Sequence, residues 1–119
     1  MRTVPHPIRV FLVSDFALVL WGLEHLLATK PDRFTLAGSA DNLGEAMRSP
    51  ALSSAQLIVI DMETEGALEE VLPRLLARTE LHVLLLTRHN DLDRQDAVVL
   101  AGAHGVLRKT SSPDRKSVV

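Results

Sequence analysis

The chain has 119 residues, 46% of them hydrophobic, so it can bury one core, and intrinsic disorder is excluded. Its formal net charge of −2 gives no general electrostatic reason to bind nucleic acid or an anionic membrane surface. Without cysteine it has neither a disulfide framework nor a thiolate metal site, and no apolar run is long enough to span a bilayer. We therefore expect a cytoplasmic globular domain with no membrane partner.

Short apolar runs alternate with helical patterns along the whole chain. Residues 1–7, with two prolines, predict an extended N-terminal tail. The patterns then predict, in order, strand 8–13, helix 16–29, strand 34–38, helix 42–48, strand 56–60, helix 67–78, strand 81–87, helix 91–101 and strand 105–108. Residues 110–119 leave room only for a short or truncated last helix. No repeat or linker divides residues 1–119, so we predict a single α/β domain, a three-layer α/β/α sandwich with a parallel sheet.

The first predicted helix carries an apolar stripe that should face the core. At helical spacing the stripe contains Phe16, Val19, Leu20, Leu23, Leu26 and Leu27. Trp21, with Leu18 and His25 beside it, falls on the opposite face. An exposed apolar patch of this kind is a candidate partner surface, but Trp21 could equally pack against a neighbouring helix or a second copy of the chain.

Polar side chains follow four of the five predicted strands. Ser14 and Asp15 follow the first strand, Asp61 the third, Thr87 ends the fourth, and Lys109 follows the fifth. In an open parallel sheet ligands bind at the carboxyl ends of the strands, so these groups should meet at one edge. Carboxylates suit Mg²⁺, an aspartate can attack a phosphoryl donor, and fixed cations assist the transfer. Taken singly, Asp15 could simply cap the helix, but the joint occurrence favours a phosphoryl site.

The same residues resemble a known family. The stretches 8–19 (IRVFLVSDFALV), 57–61 (LIVID), 83–87 (VLLLT) and 101–109 (AGAHGVLRK) are similar to the receiver domain of two-component response regulators, and the last stretch is the most specific. The resemblance covers essentially the whole chain, and the nearest subtype is the receiver that precedes a LuxR-type helix-turn-helix. It implies a flavodoxin-like fold with a five-stranded parallel sheet in the order 2-1-3-4-5.

The resemblance also implies a role for each site residue. Asp61 would accept a phosphoryl group from a sensor histidine kinase, and Asp15, Asp61 and the backbone carbonyl of Glu63 would bind Mg²⁺. Thr87 would be the switch hydroxyl, and Lys109 would contact the phosphoryl group. Such a domain is not an enzyme with a separate substrate, although it assists its own phosphorylation and dephosphorylation. Its output would be transcriptional or through protein contact, with homodimerisation a candidate and with DNA bound only through a C-terminal output domain absent from this chain.

Three site positions depart from the family pattern. Ser14 stands where the family usually has an acid, Arg88 where it has a small residue, and Val106 where it has an aromatic switch residue. Loss of one acid should weaken Mg²⁺ binding. Ser14 is either a neutral helix-entry residue, the interpretation we favour, or a hydrogen-bond donor in place of the acid. These departures keep open an alternative function, a degenerate receiver that signals by protein contact without phosphorylation. A weaker third hypothesis is an unrelated flavodoxin-like enzyme or nucleotide binder.

Overall fold

A computed structural model describes residues 6–62, 68–78 and 80–87, together with the backbone of 105–108. Its elements are, in chain order, β1 (Ile8–Val13), α1 (Ala17–Ala28), β2 (Phe34–Ala40), α2 (Leu43–Arg48), a 3₁₀ turn (Pro50–Ser54), β3 (Leu57–Asp61), α3 (Leu68–Leu76), β4 (His82–Thr87) and β5 (Gly105–Arg108). The predicted helix 91–101, the last helix at 110–119 and most of the N-terminal tail lie outside the described residues.

The five strands form one parallel sheet in the order β2-β1-β3-β4-β5, which confirms the predicted topology. β1 lies between β2 and β3, with Val13 beside Ala40 on one side and Ile60 on the other. In the next pair of strands, Asp61 lies beside Leu86. This register brings the residues that end β1, β3 and β4 to the same edge of the sheet.

The two faces of the sheet carry separate apolar clusters. From Val10 to Val13, β1 is buried on both faces, which explains the four consecutive apolar residues there. Alternate strand residues, such as Phe11 and Ile60, join the larger cluster, which α2, the 3₁₀ turn and α3 cover. The others, such as Val10 and Leu12, join the smaller cluster, against which α1 packs. Helices therefore lie on both sides of the sheet, as a three-layer sandwich requires.

Only part of the stripe predicted for α1 faces the core. Leu20, Leu23 and Leu27 pack on the sheet as expected. Phe16 and Leu26 were wrongly included, because 48% and 63% of their surfaces are exposed. Phe16 precedes the first helical turn as its N-cap residue, so the helical periodicity does not direct its side chain. Leu26 is rotated about 100° around the axis from Leu27, which is enough to carry it off the packed face.

β2 runs two residues beyond its predicted end at Gly38 because that glycine belongs to the sheet. Gly38 pairs with Phe11, at a one-residue irregularity in the register between Val10 and Phe11. A Cβ on Gly38 would lie 3.0 Å from the Phe11 ring and 3.0 Å from the Ala51 Cβ. Close approach of the ring and of the 3₁₀ turn therefore requires a residue without a side chain here.

Local capping and proline chemistry explain the shorter elements. The Asn42 side chain accepts a hydrogen bond from the backbone N–H of Glu45 at 2.8 Å and caps α2. The 3₁₀ turn was not predicted. It begins with Pro50, and the Ser49 hydroxyl accepts from the Ala51 N–H at 3.3 Å. Pro73 lies inside α3, which begins one residue later than predicted and continues past the proline. Within the described ranges no helix is both long and apolar enough to cross a bilayer.

Candidate phosphoryl site at the carboxyl edge of the sheet

Three buried polar side chains lie at one edge of an otherwise apolar interior. Among the described residues the buried polar or charged set is Ser14, Asp61 and Thr87, with exposed fractions of 0%, 1% and 3%. Ser14 follows β1, Asp61 ends β3 and Thr87 ends β4. Burying a carboxylate is costly unless hydrogen bonds or charges compensate it. Because the described buried polar groups gather here rather than being spread through the core, this edge is the candidate functional site.

A short hydrogen bond joins Ser14 to Asp61. The Ser14 hydroxyl donates to Asp61 Oδ2 at 2.8 Å, and both groups are buried. The same Ser14 oxygen accepts from the backbone N–H of Phe16 at 3.1 Å. Both interpretations of Ser14 therefore hold, since the residue starts the path into α1 and also donates to the acid. The favoured interpretation was incomplete because it omitted the second contact.

Asp15 is exposed beside this buried pair. It does not cap α1, because the N-cap residue is Phe16 and no side chain makes the capping hydrogen bond. The Phe16 N–H donates instead to the Ser14 hydroxyl oxygen. The register places Asp15 and Asp61 after adjacent strands, β1 and β3. The helix-cap alternative for Asp15 is therefore wrong, and the residue follows β1 at the edge of the sheet where Asp61 is buried.

The donor set fits Mg²⁺ in kind, although it is small. In the described part of the chain no three His, Cys, Asp or Glu side chains gather as a metal site. The edge provides the carboxylates of Asp15 and Asp61, which are hard oxygen ligands. Mg²⁺ commonly takes only one or two protein carboxylates and completes its shell with water and phosphate oxygens. Glu63, whose carbonyl was the third predicted ligand, lies outside the described residues.

The neighbouring strands complete the described part of the edge. The backbone N–H of Met62 donates to the Leu86 carbonyl at 2.8 Å, which ties the residue after Asp61 to β4. Thr87 follows Leu86 and pairs with Arg108 of β5. The predicted contact residue Lys109 comes next in the chain but lies, with Arg88, outside the described residues. The Val106 backbone pairs with Leu85.

The candidate partner patch on α1 is exposed. Leu18 and Trp21 keep 77% and 66% of their surfaces accessible, and His25 is exposed as well. They lie on the side of the helix opposite Leu23, which packs on the sheet. The prediction that Trp21 points away from the core is confirmed.

Comparison with known proteins places this geometry in a recognised group. No family model matches the chain. It is 31% identical over 106 residues to the transcriptional regulatory protein LiaR of Bacillus subtilis, covering 87% of this chain and 50% of LiaR. It is 32% identical over 104 residues to the DNA-binding transcriptional activator DevR/DosR of Mycobacterium tuberculosis, covering 86% of this chain and 48% of that protein. The chain thus spans about half the length of the curated relatives it matches.

Solved structures agree with these relatives. The receiver domain of the response regulator NarL from Mycobacterium tuberculosis superposes with a TM-score of 0.80 at 22% identity, covering 91% of this chain and 88% of that one. A LuxR-family two-component response regulator from Aurantimonas superposes with a TM-score of 0.77 at 25% identity, covering 90% and 77%.

The doubly wound parallel sheet is therefore the fold of the receiver domains on which the chain superposes. With the sequence relatives added, the chain matches the receiver domain of LuxR-type response regulators.

Proposed function

We propose that this receiver domain accepts a phosphoryl group on Asp61 from a histidine kinase in the presence of Mg²⁺, and that the new charge switches a transcriptional or protein-contact output. The observation that carries the proposal is the gathering of the buried polar side chains Ser14, Asp61 and Thr87 at the carboxyl edge of the sheet. A buried carboxylate held at a strand end is a positioned nucleophile, and a hydroxyl on the next strand is a ready donor to the oxygens of the added group.

In phosphoryl transfer the protein mainly positions the nucleophile and stabilises the charge on the transferred group. A carboxylate oxygen of Asp61 forms a bond to phosphorus while the P–N bond to the kinase histidine breaks. The electron pair of that bond returns to the imidazole nitrogen. The phosphorus therefore exchanges one bond for another, and Asp61 becomes an acyl phosphate. The negatively charged phosphoryl oxygens would then lie at the carboxyl edge of the sheet. The Thr87 hydroxyl and, by the family resemblance, the Lys109 ammonium would contact them there.

Mg²⁺, when bound by Asp15, Asp61 and the Glu63 carbonyl, would neutralise charge on the phosphoryl oxygens during transfer. Asp15 is exposed and can reach such an ion from the solvent side. Switching would follow because the acyl phosphate favours the conformation in which Thr87 has moved toward it, and the equilibrium between the two conformations shifts accordingly.

Structures of similar proteins support the partners we propose. The receiver domain of RcsB from Salmonella enterica, which superposes with a TM-score of 0.76 at 16% identity, was solved in the presence of the phosphomimetic BeF₃⁻. CheY6 of R. sphaeroides, with a TM-score of 0.74 at 24% identity, was solved in complex with the P1 domain of CheA3. RcsB dimers have been solved bound to DNA. For this chain we propose a histidine kinase as donor, homodimerisation, and DNA contact only through an output domain.

The experiment measures the intact mass of the chain with and without a small-molecule phosphodonor, with Mg²⁺ present. We expect the parent chain to gain the mass of one phosphoryl group, and Asp61→Asn to gain none because its amide is not a competent nucleophile. Asp41→Asn is the matched control. Asp41 also follows a strand of the sheet but is exposed, so this variant should label like the parent.

No mass gain in the parent at saturating donor and Mg²⁺ would contradict the proposal. The neutral Ser14 in the buried cluster would then favour the second candidate, a degenerate receiver acting through protein contact alone. That candidate predicts that the affinity for its partner is unchanged in Asp61→Asn, whereas the favoured function predicts a change.

A further inference from the structure

Ser14 is a buried hydroxyl whose hydrogen bonds leave it little freedom. Its oxygen accepts from the Phe16 N–H at 3.1 Å, and its proton points to Asp61 Oδ2 at 2.8 Å. Its own backbone N–H donates to the Ala40 carbonyl at 3.1 Å, which ties the residue to β2. Its exposed fraction is 0%, so bulk water does not compete for the hydroxyl. The side chain is therefore locked with its donor directed at the carboxylate.

We propose that Ser14 is a positioning residue for phosphoryl acceptance, which holds the Asp61 carboxylate in its reactive orientation before any metal ion binds. The proposal rests on the proposed function, since it assumes that Asp61 is the acceptor. It goes beyond that function because it assigns the orientation of the nucleophile to a neutral side chain of the protein and not to the ion.

The charge of the donor matters as much as its geometry. A hydroxyl stabilises the Asp61 carboxylate without adding charge to the buried edge. A carboxylate at position 14 would place a second negative charge within hydrogen-bonding distance of Asp61, where the two like charges repel each other. Such a site would need a cation before it could adopt its ordered form. With Ser14 in place, the hydrogen bond orients the carboxylate with no second negative charge to neutralise, so Mg²⁺ has less to organise.

The first test measures the initial rate of phosphoryl uptake against phosphodonor concentration at saturating Mg²⁺. We expect Ser14→Ala to lower the maximal rate by roughly 10- to 100-fold, the factor associated with a hydrogen bond to a charged group. The donor concentration for half-maximal rate should change little, because Ser14 acts on the nucleophile and not on donor binding. Ser14→Thr, which keeps the hydroxyl, should recover most of the rate.

Ser39→Ala is the matched control for this test. Ser39 lies in β2 and is exposed, and its hydroxyl makes no hydrogen bond to another side chain of the described residues. The same chemical change there should leave the rate unchanged. A Ser14→Ala chain that labels as fast as the parent overturns the proposal, as does a rate lost equally in Ser14→Thr and Ser14→Ala while both remain folded.

The second test does not depend on phosphorylation. Thermal unfolding is followed with and without Mg²⁺ for the parent and for Ser14→Asp. The parent midpoint should rise less on adding Mg²⁺ than that of Ser14→Asp, which should unfold at a lower temperature without the ion and recover much of the loss with it. Equal Mg²⁺ shifts for the two chains overturn the proposal.

A double-mutant cycle decides the matter if Ser14→Asp does not fold. Ser14→Ala, Asp61→Ala and the double variant should show a coupling of roughly tenfold or more in the unfolding equilibrium constant. Additive effects overturn the proposal. A parent chain that takes up no phosphoryl group, yet shows this coupling, would refute the proposed function and leave the Ser14–Asp61 contact established.

Discussion

Gly38→Ala tests whether β2 packs as tightly against Phe11 and the 3₁₀ turn as the structure indicates. The added Cβ would lie 3.0 Å from the Phe11 ring and 3.0 Å from the Ala51 Cβ, a spacing that forces a neighbour to move. Phe11 is fully buried and cannot swing away, and the Ala51 Cβ is fixed to its backbone. Overpacking a well-packed core costs about 1–3 kcal/mol. Replacing glycine by alanine also lowers the conformational entropy of the unfolded chain, which stabilises the fold by about 0.4–1 kcal/mol. The net loss in the free energy of unfolding should therefore be about 1–2 kcal/mol.

The assay is thermal or urea unfolding of Gly38→Ala and of a control variant, Gly22→Ala, each compared with the parent. For a chain of this length a loss of 1–2 kcal/mol lowers the midpoint by roughly 3–8 °C. Gly22→Ala is the matched control, since its Cβ would meet nothing within 4 Å and it lies inside α1. It should stabilise by about 0.5–1 kcal/mol through helix propensity. If Gly38→Ala is as stable as the parent, the close approach of Phe11 and the 3₁₀ turn is wrong.

Three further substitutions test separate parts of the fold by urea unfolding. Asn42→Ala removes the side chain that caps α2 and should cost about 1 kcal/mol, with Asn42→Asp nearly neutral. Leu72→Ala empties a fully buried position in α3 and should cost about 2–5 kcal/mol; a smaller loss would mean that the site collapses around the cavity. Trp21→Ala should change stability by less than about 0.5 kcal/mol, because 66% of the surface of the residue is exposed. The parent fluorescence should accordingly be that of a solvated indole, readily quenched by iodide, and a shielded spectrum would contradict this placement.

The sheet could be predicted from the sequence because its strands are buried on both faces. β1 carries four consecutive buried apolar residues, and such a run has few alternative structures. The bounds of β1 were correct, and those of β3 differed by one residue from the predicted 56–60. β2 was harder. It mixes half-buried and exposed residues, and Gly38 was predicted to end the strand, whereas it is a packing position explained by the Phe11 ring and the Ala51 Cβ.

The site was predicted in outline, and one of its contacts was missed. Asp61 and Thr87 lie at the same edge, as strand ends in a parallel sheet require. The bond from Ser14 to Asp61 depends on a register between β1 and β3 that no local pattern specifies. A signal was nevertheless present, because a short polar residue directly after a doubly buried strand must find a partner on a neighbouring strand. The roles of all the predicted site residues, Asp15, Asp61 and Thr87 included, remain predictions.

α1 has no buried residue, whereas the last four residues of the strand before it are buried. Elements with few buried contacts open locally at a smaller free-energy cost than the core. Amide protons of α1 should therefore exchange with solvent well before those of β1 and β3. α1 begins three residues after Ser14. A helix without buried residues is therefore joined to the buried hydrogen bond between Ser14 and Asp61. A ligand that immobilises this junction would slow deuterium uptake along the helix, and so report occupancy of the site from a distance.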